Sequence, residues 1–266
     1  MSRQVKGGLL IIGGAEDKRG RCEILRRFVS ISGGHEAKVA IITAATESPK
    51  EVGAEYQHLF AGLGIGETIL LDVTGREQAN DPVMTEKLNG VTGVFFTGGD
   101  QLRITTLIGG TVLDRVLHQA YESGVVIAGT SAGASVMSDT MIAEGNSDDT
   151  PKKNTVKMAP GMGLIREVVV DQHFAQRGRL GRLLTAVAQN PHILGIGIDE
   201  DTAVVVSPEA QFEVIGSQTV TVVDGRSISN TNVTESGPAQ PLVLTDVLLH
   251  ILPAGYRFDL KTRRPL

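Results

Sequence analysis

Apolar residues gather along the first half of this chain in short continuous runs rather than in alternation with polar ones. Residues 9–12, 39–43, 68–73, 91–96 and 125–128 read as strands, and near-continuous hydrophobicity is what a parallel strand covered on both faces requires. Between these runs the period changes. Residues 22–32 place Ile24, Leu25, Phe28 and Ile31 at helical spacing. Residues 111–123 put Val112, Leu113, Val116, Leu117 and Ala120 on one face and stop before Gly124, a candidate C-terminal cap. Residues 51–63 and 83–88 carry weaker versions of the same signal. Strand–helix alternation implies right-handed crossovers, and so an α/β fold with an open, mostly parallel sheet and helices on both faces. In such sheets the loops after the carboxyl ends of the strands carry function. Three glycine-rich segments fall there: Gly13-Gly14, Thr97-Gly98-Gly99-Asp100 and Gly129-Thr130-Ser131-Ala132-Gly133.

Residues 144–161 break the pattern. The stretch Gly145-Asn146-Ser147-Asp148-Asp149-Thr150-Pro151-Lys152-Lys153 is polar and irregular, the composition of a mobile surface loop near the functional edge of the sheet. A strand at 168–170, a helix at 180–189 and a strand at 193–198 follow. From Thr202 the chain becomes a β-rich C-terminal portion, with strands at 203–206, 212–215 and 220–223, a turn at Asp224-Gly225 and a last apolar element at 242–252. No repeat, low-complexity tract or linker interrupts it, which favours a single domain over 1–266.

Composition narrows the function classes. With 266 residues, 41% apolar and 21% charged, the chain has the make-up of a globular enzyme domain. No apolar run reaches the roughly 18 residues of a membrane span. The start, Met1-Ser2-Arg3-Gln4-Val5-Lys6, lacks the apolar core of a signal peptide, and the single Cys22 excludes an internal disulfide, so a cytoplasmic address is expected. A net charge of −5, no tryptophan and 4% aromatic content argue against nucleic acid as a partner. No P-loop, dinucleotide fingerprint, HExxH or Cys/His cluster is present, so neither a cofactor nor a metal is expected.

The chemistry centres on Ser131. A serine flanked by glycines at ±2, after a buried strand and before a helix, is the nucleophile-elbow pattern: the turn is so sharp that only small residues fit beside it. An ordinary serine in a glycine-rich turn shares the bare GxSxG spacing, and the strand before and helix after distinguish the two. The amide of Ala132 opens the helix without an intrahelical acceptor and can stabilise an oxyanion. The serine needs a base, and the base an orienter. Of six histidines, His35, His58 and His118 lie in helical or helix-end positions, His192 at the amino end of a strand and His250 inside an apolar run. His173, in Asp171-Gln172-His173-Phe174, follows a strand directly and stands on the rim. The strand at 193–198 runs into Asp199-Glu200-Asp201, and residue types alone do not choose among the three acids. The order Ser131, acid, His250 would suit an α/β-hydrolase, but the His-Gly-rich oxyanion loop of that fold is absent.

Four ordered motifs resemble the cyanophycinase family, serine exopeptidases related to aspartyl dipeptidase (peptidase E). They are Gly-Thr-Ser-Ala-Gly-Ala around Ser131, Thr97-Gly98-Gly99-Asp100-Gln101, Asp171-Gln172-His173-Phe174 with Arg177, Arg179 and Arg182, and Gly197-Ile198-Asp199-Glu200-Asp201-Thr202-Ala203. The resemblance spans nearly the whole chain. It implies a Ser131–His173–Glu200 triad on a fold similar to class I glutamine amidotransferases, acting without metal. Its implied substrate is cyanophycin, a poly-aspartate backbone with arginine on each side-chain carboxylate, cut to β-Asp-Arg dipeptides; a homodimer is also implied. An aspartyl dipeptidase acting on short α-peptides is the alternative. Ala132 and the Gly98-Gly99 turn, through Gly99, would form the oxyanion hole. Asp100, Gln101, Asp171, Gln172, Arg177, Arg179 and Arg182 would meet the substrate, acid to guanidinium and arginine to carboxylate.

Overall fold

The computed structural model describes residues 5–147 and 150–266. The chain begins β1 (Leu9–Ile12), α1 (Glu23–Ile31), β2 (Lys38–Ile42), α2 (Pro49–Gly62), β3 (Glu67–Leu71), α3 (Arg76–Asn80), α4 (Pro82–Glu86) and β4 (Gly93–Phe96). It continues α5 (Gln101–Ile108), α6 (Val112–Ser123), β5 (Val126–Thr130), α7 (Ala132–Ser135), β6 (Thr140–Gly145), β7 (Val156–Pro160), β8 (Val168–Gln172) and α8 (Leu180–Gln189). The remainder is strand: β9 (Leu194–Ile198), β10 (Thr202–Val206), β11 (Gln211–Gly216), β12 (Thr219–Asp224), β13 (Leu248–Pro253), β14 (Arg257–Asp259) and β15 (Arg264–Pro265). Local chemistry sets the helix ends. At α6 the Thr111 hydroxyl accepts from the Asp114 amide at 3.3 Å, and Gly124 closes the helix in the left-handed region at φ +119°.

Among the described residues nine strands form one sheet in the order β15-β14-β11-β10-β1-β5-β4-β2-β3. The half from β1 to β3 is parallel, and the C-terminal strands extend it antiparallel from β10 to β15. A four-stranded sheet, β13-β12-β9-β8, has β8 and β9 parallel, and β6 pairs with β7 as an antiparallel ribbon.

β1 shows why its run is continuously apolar. Leu9 and Ile11 pack with Ile104 of α5, Leu117 of α6 and Val170 and Ile196 of the second sheet. Leu10 and Ile12 face the other way, onto Leu25 and Phe28 of α1 and Tyr56 and Phe60 of α2. Burying each such side chain is worth about 1.5–3 kcal/mol, so neither face of the strand tolerates a polar residue. β8 repeats the device: Val168 and Val170 join the shared core, while Val169 packs on Leu183 and Val187 of α8. The two sheets thereby bring the carboxyl ends of β5, β8 and β9 to one rim, and the next residues are Ser131, His173 and Asp199-Glu200.

Several expectations need correction. Within 144–161, beyond the stretch 145–153 expected to be irregular, Val156–Pro160 forms β7, a strand absent from the expected elements, and pairs with β6 across a bulge between Ile142 and Glu144. Asp148 and Asp149 of that stretch, like Met1 to Gln4 at the start, lie outside the described residues. The apolar element at 242–252 is a strand only from Leu248. α3 and α5 escaped the periodicity argument, since five and eight residues are too short to show it.

Candidate active site

The turn from β5 into α7 holds Ser131 at φ +53°, ψ −109°, a conformation that a residue with a side chain adopts only under constraint. Gly129 and Gly133 make it possible. A Cβ on Gly129 would lie 2.5 Å from the Gly133 carbonyl carbon, and one on Gly133 would lie 2.5 Å from the Phe96 carbonyl oxygen. The Ser131 hydroxyl is 3.0 Å from His173 Nε2, and His173 Nδ1 is 2.6 Å from Glu200 Oε1. With the ring proton on Nδ1 and donated to Glu200, Nε2 is free to accept from the serine hydroxyl. His173 is 9% exposed. Burial holds its pKa below the ordinary histidine value; the Glu200 hydrogen bond opposes that shift, and the nearby charges of Arg177 and Arg179 reinforce it.

Beside the serine, the turn after β4 comes close: a Cβ on Gly98 would sit 3.5 Å from Ser131 Cβ. Gly99 has φ +144° and a Cβ there would lie 2.6 Å from the Ala45 carbonyl carbon, so this position accepts only glycine. Ala132 is the first residue of α7, where its amide has no intrahelical acceptor. Asp100 is exposed and caps α5, accepting from the Leu102 amide at 2.8 Å. The Gln101 side-chain amide donates to the carbonyls of Ile142, at 3.1 Å, and Ala143, at 2.7 Å, which ties this turn to β6.

The cluster around His173 divides into buried and exposed parts. Arg182 grips Asp171 through both carboxylate oxygens, with Nε at 2.7 Å from Oδ2 and Nη2 on Oδ1. Asp171 is 1% exposed. The expectation that Asp171 and Arg182 meet substrate charges is therefore corrected: they satisfy each other inside the protein. Arg179 Nη1 donates to the Gln172 carbonyl, to Gln172 Oε1 at 2.9 Å and to Asp171 Oδ1 at 3.4 Å. Burial lowers its pKa to about 10, which leaves it charged at neutral pH. Arg177 is exposed, and among the described residues its guanidinium makes no hydrogen bond or ion pair.

A family model, that of peptidase family S51, matches residues 9–214 and so contains Ser131, His173 and Glu200. The chain belongs to peptidase family S51. It is 44% identical to a cyanophycinase of Geminocystis herdmanii over all of this chain and 98% of that one. A cyanophycinase of Trichormus variabilis is 43% identical, over 98% of this chain and 88% of its own, and one of Synechococcus elongatus is 40% identical over 97% and 81%. Among solved structures, a peptidase from an acI-B1 actinobacterium superposes with a TM-score of 0.72 over 97% of this chain and 98% of its own at 22% identity. A putative peptidase E of Listeria monocytogenes gives 0.53 over 79% and 98% at 16% identity. Both likenesses speak for the fold.

In this S51 peptidase the three consecutive acids have separate partners, a distinction invisible in residue types. Asp199 is buried and accepts from the amides of Ala175, at 2.9 Å, and Thr219, at 3.2 Å, and from the Thr219 hydroxyl at 2.8 Å. Asp201 accepts from the Asp17 amide at 2.9 Å. Glu200, between them on a turn, points to the imidazole. Sequence reasoning missed Glu16, whose buried carboxylate bonds Thr130, the neighbour of Ser131. The available signal was an acid two residues after the Gly13-Gly14 end of β1. Elsewhere, His192 lies exposed 3.4 Å from Glu167, and His250 sits in β13 with its ring against Phe258.

Proposed function

We propose that this protein is a serine exopeptidase that hydrolyses cyanophycin, multi-L-arginyl-poly-L-aspartate, to β-Asp-Arg dipeptides through an acyl-enzyme on Ser131. One observation carries the reading: an unbroken hydrogen-bonded line from Ser131 through His173 to Glu200 in a chain 44% identical, along its whole length, to a cyanophycinase. Ser131 Oγ attacks a main-chain aspartyl carbonyl as its proton passes to His173 Nε2. The C–N bond breaks, and the same proton goes to the leaving amine. Water then attacks the ester carbonyl and gives a proton to His173; the acyl C–O bond to Ser131 breaks, that proton passes to Ser131 Oγ, and the product acid leaves. Glu200 keeps the imidazole in the required tautomer and stabilises the imidazolium. The Ala132 amide and one from the Gly98-Gly99 turn receive the developing negative charge. Arg177, exposed beside His173, takes the free carboxylate of the substrate, with Gln172 and Arg179 behind it.

The metal-free mechanism follows from that set of groups, since His173 supplies the base and the amides the electrophilic stabilisation. We also infer one domain over 1–266, supported by a hydrophobic core that contains residues of both sheets. No helix among the described residues is long and apolar enough to cross a membrane. A cytoplasmic homodimer completes the reading; light scattering at twice the chain mass supports the dimer and a monomer excludes it.

The direct test incubates insoluble cyanophycin with the protein and with Ser131→Ala, and weighs the soluble products. A product of the mass of β-Asp-Arg from the wild type alone is expected. Equal turnover by Ser131→Ala removes the nucleophile assignment.

A further inference from the structure

The segment Gly13-Gly14-Ala15-Glu16-Asp17 leaves β1 at its carboxyl end, and the hydrogen bonds converging on it are unusually ordered. The Ile12 carbonyl accepts from the Ser131 amide at 3.0 Å, the Gly13 carbonyl from the His173 amide at 2.8 Å, and the Gly14 carbonyl from the Asp201 amide at 2.9 Å. Three successive carbonyls thus hold three loops that follow three different strands, and each loop carries one member of the triad. Gly14 has φ +99°, and a Cβ there would lie 2.5 Å from His173 Nε2, so the imidazole rests against bare backbone.

A flexible segment could not serve as such a ruler, and side chains fix this one. Glu16 is 5% exposed. Its Oε2 accepts from the Thr130 hydroxyl at 2.6 Å and its Oε1 from the Tyr56 hydroxyl at 2.5 Å. The Asp17 amide meanwhile donates to Asp201 Oδ1 at 2.9 Å. Placing a carboxylate in a protein interior is costly unless its oxygens are bonded, and a segment that merely turns has no need of one. Thr130 immediately precedes Ser131. The Glu16 carboxylate therefore ties the segment that spaces the triad to the strand that presents its serine, and Tyr56 of α2 braces the tie from behind.

We propose that Glu16 is a positioning residue for the peptidase reaction: through Thr130 and the carbonyls of residues 12–14 it holds Ser131 Oγ, His173 Nε2 and the acid beyond in register. The proposal rests on the triad assigned above. Glu16 touches neither substrate nor reacting atoms, so its loss acts on the chemical step and not on substrate affinity.

The test measures three quantities for Glu16→Ala, Glu16→Gln and Thr130→Val: kcat and KM on cyanophycin, the rate at which a small phosphonate labels Ser131, and the melting temperature. Misplacing reacting groups by about 1 Å costs on the order of 100-fold in rate. Glu16→Ala is expected to lower kcat and the labelling rate together by about that factor, with KM unchanged within roughly threefold. Glu16→Gln keeps the length and one carbonyl acceptor, and is expected to restore activity to within about tenfold of wild type. A Glu16→Ala protein that folds and labels at the wild-type rate, or whose defect lies in KM alone, overturns the proposal. Should Glu16→Ala fail to fold, Thr130→Val, which removes only the hydroxyl that meets Glu16, decides: slower labelling supports the proposal, an unchanged rate overturns it. Labelling also separates this idea from the substrate assignment, because a wild type that labels but leaves cyanophycin intact refutes the substrate and not the positioning.

Discussion

At the scale of single residues, His173 joins structure to pH dependence most directly. In the mechanism proposed above it must be neutral to take the proton of Ser131, so the acid limb of the rate profile should follow its ionisation. Burial first, and the charges of Arg177 and Arg179 after it, hold the imidazole below its ordinary value of 6.5. Labelling of Ser131 by a neutral phosphonate should accordingly rise with pH through a midpoint below that value. In Arg177→Ala one opposing cation is gone, the imidazolium becomes easier to form, and the midpoint should move to higher pH; a fixed midpoint would show that Arg177 does not act on the ring. The same variant should lose roughly 10- to 150-fold in kcat/KM on cyanophycin if it also binds a carboxylate. The adjacent acids give a second contrast. Glu200→Gln should abolish most activity at little cost in stability, whereas Asp199→Asn, which disturbs three hydrogen bonds, should lower the melting temperature more than activity per folded molecule. The placement of Ser131 and His173 on one rim was legible in the sequence because each directly follows an apolar run. The choice of Glu200 was legible only by resemblance, since which of three neighbouring carboxylates reaches a ring depends on a turn with Asp201 at φ +48°.

At the scale of elements, β8 and α8 are fastened by the Asp171–Arg182 pair, and Arg182 also reaches the Gly145 carbonyl of β6 at 3.3 Å. A pair this deeply buried contributes little net stability, but breaking it strands a charge in the interior and costs about 3–5 kcal/mol. Arg182→Ala should therefore lower the melting temperature sharply, and Asp171→Asn should do so by a similar mechanism. Surviving folded Arg182→Ala protein should still label at Ser131. A variant with wild-type stability and a defect confined to KM would return Arg182 to the substrate site. The sequence brought Asp171 and Arg182 into one cluster but assigned both to the substrate, because an arginine three positions after another at a helix start looks the same whether it faces water or an acid on a neighbouring strand. Strands and helices with strong periods were legible to within a residue or two, as with α8. The β6–β7 ribbon was not, because its two short strands are joined by a polar stretch and paired across a bulge between Ile142 and Glu144 that interrupts any simple alternation.

At the scale of the whole molecule, specificity depends on what the rim leaves open. Every repeat of cyanophycin carries a branch with a guanidinium and a free carboxylate, bulkier than any single residue. An enzyme made for short α-peptides would close around the substrate and exclude such a branch. Here Ser131 is partly exposed, Arg177 stands exposed beside His173, and the buried Asp171, Gln172, Arg179 and Arg182 hold that edge rigid without filling it. An open rim, with an exposed arginine whose guanidinium makes no ion pair among the described residues, suits a branch that carries a free carboxylate better than a small unbranched dipeptide. The comparison to run is the wild-type protein on cyanophycin against an unbranched Asp-Leu dipeptide, with kcat/KM for each per reactive peptide end. Discrimination for the polymer of at least about 10-fold is expected from the single arginine–carboxylate contact alone. Arg177→Ala should narrow that ratio by lowering the polymer rate while barely changing the dipeptide rate. Faster turnover of Asp-Leu by the wild type would sink the polymer reading and make the protein an aspartyl dipeptidase with the same triad.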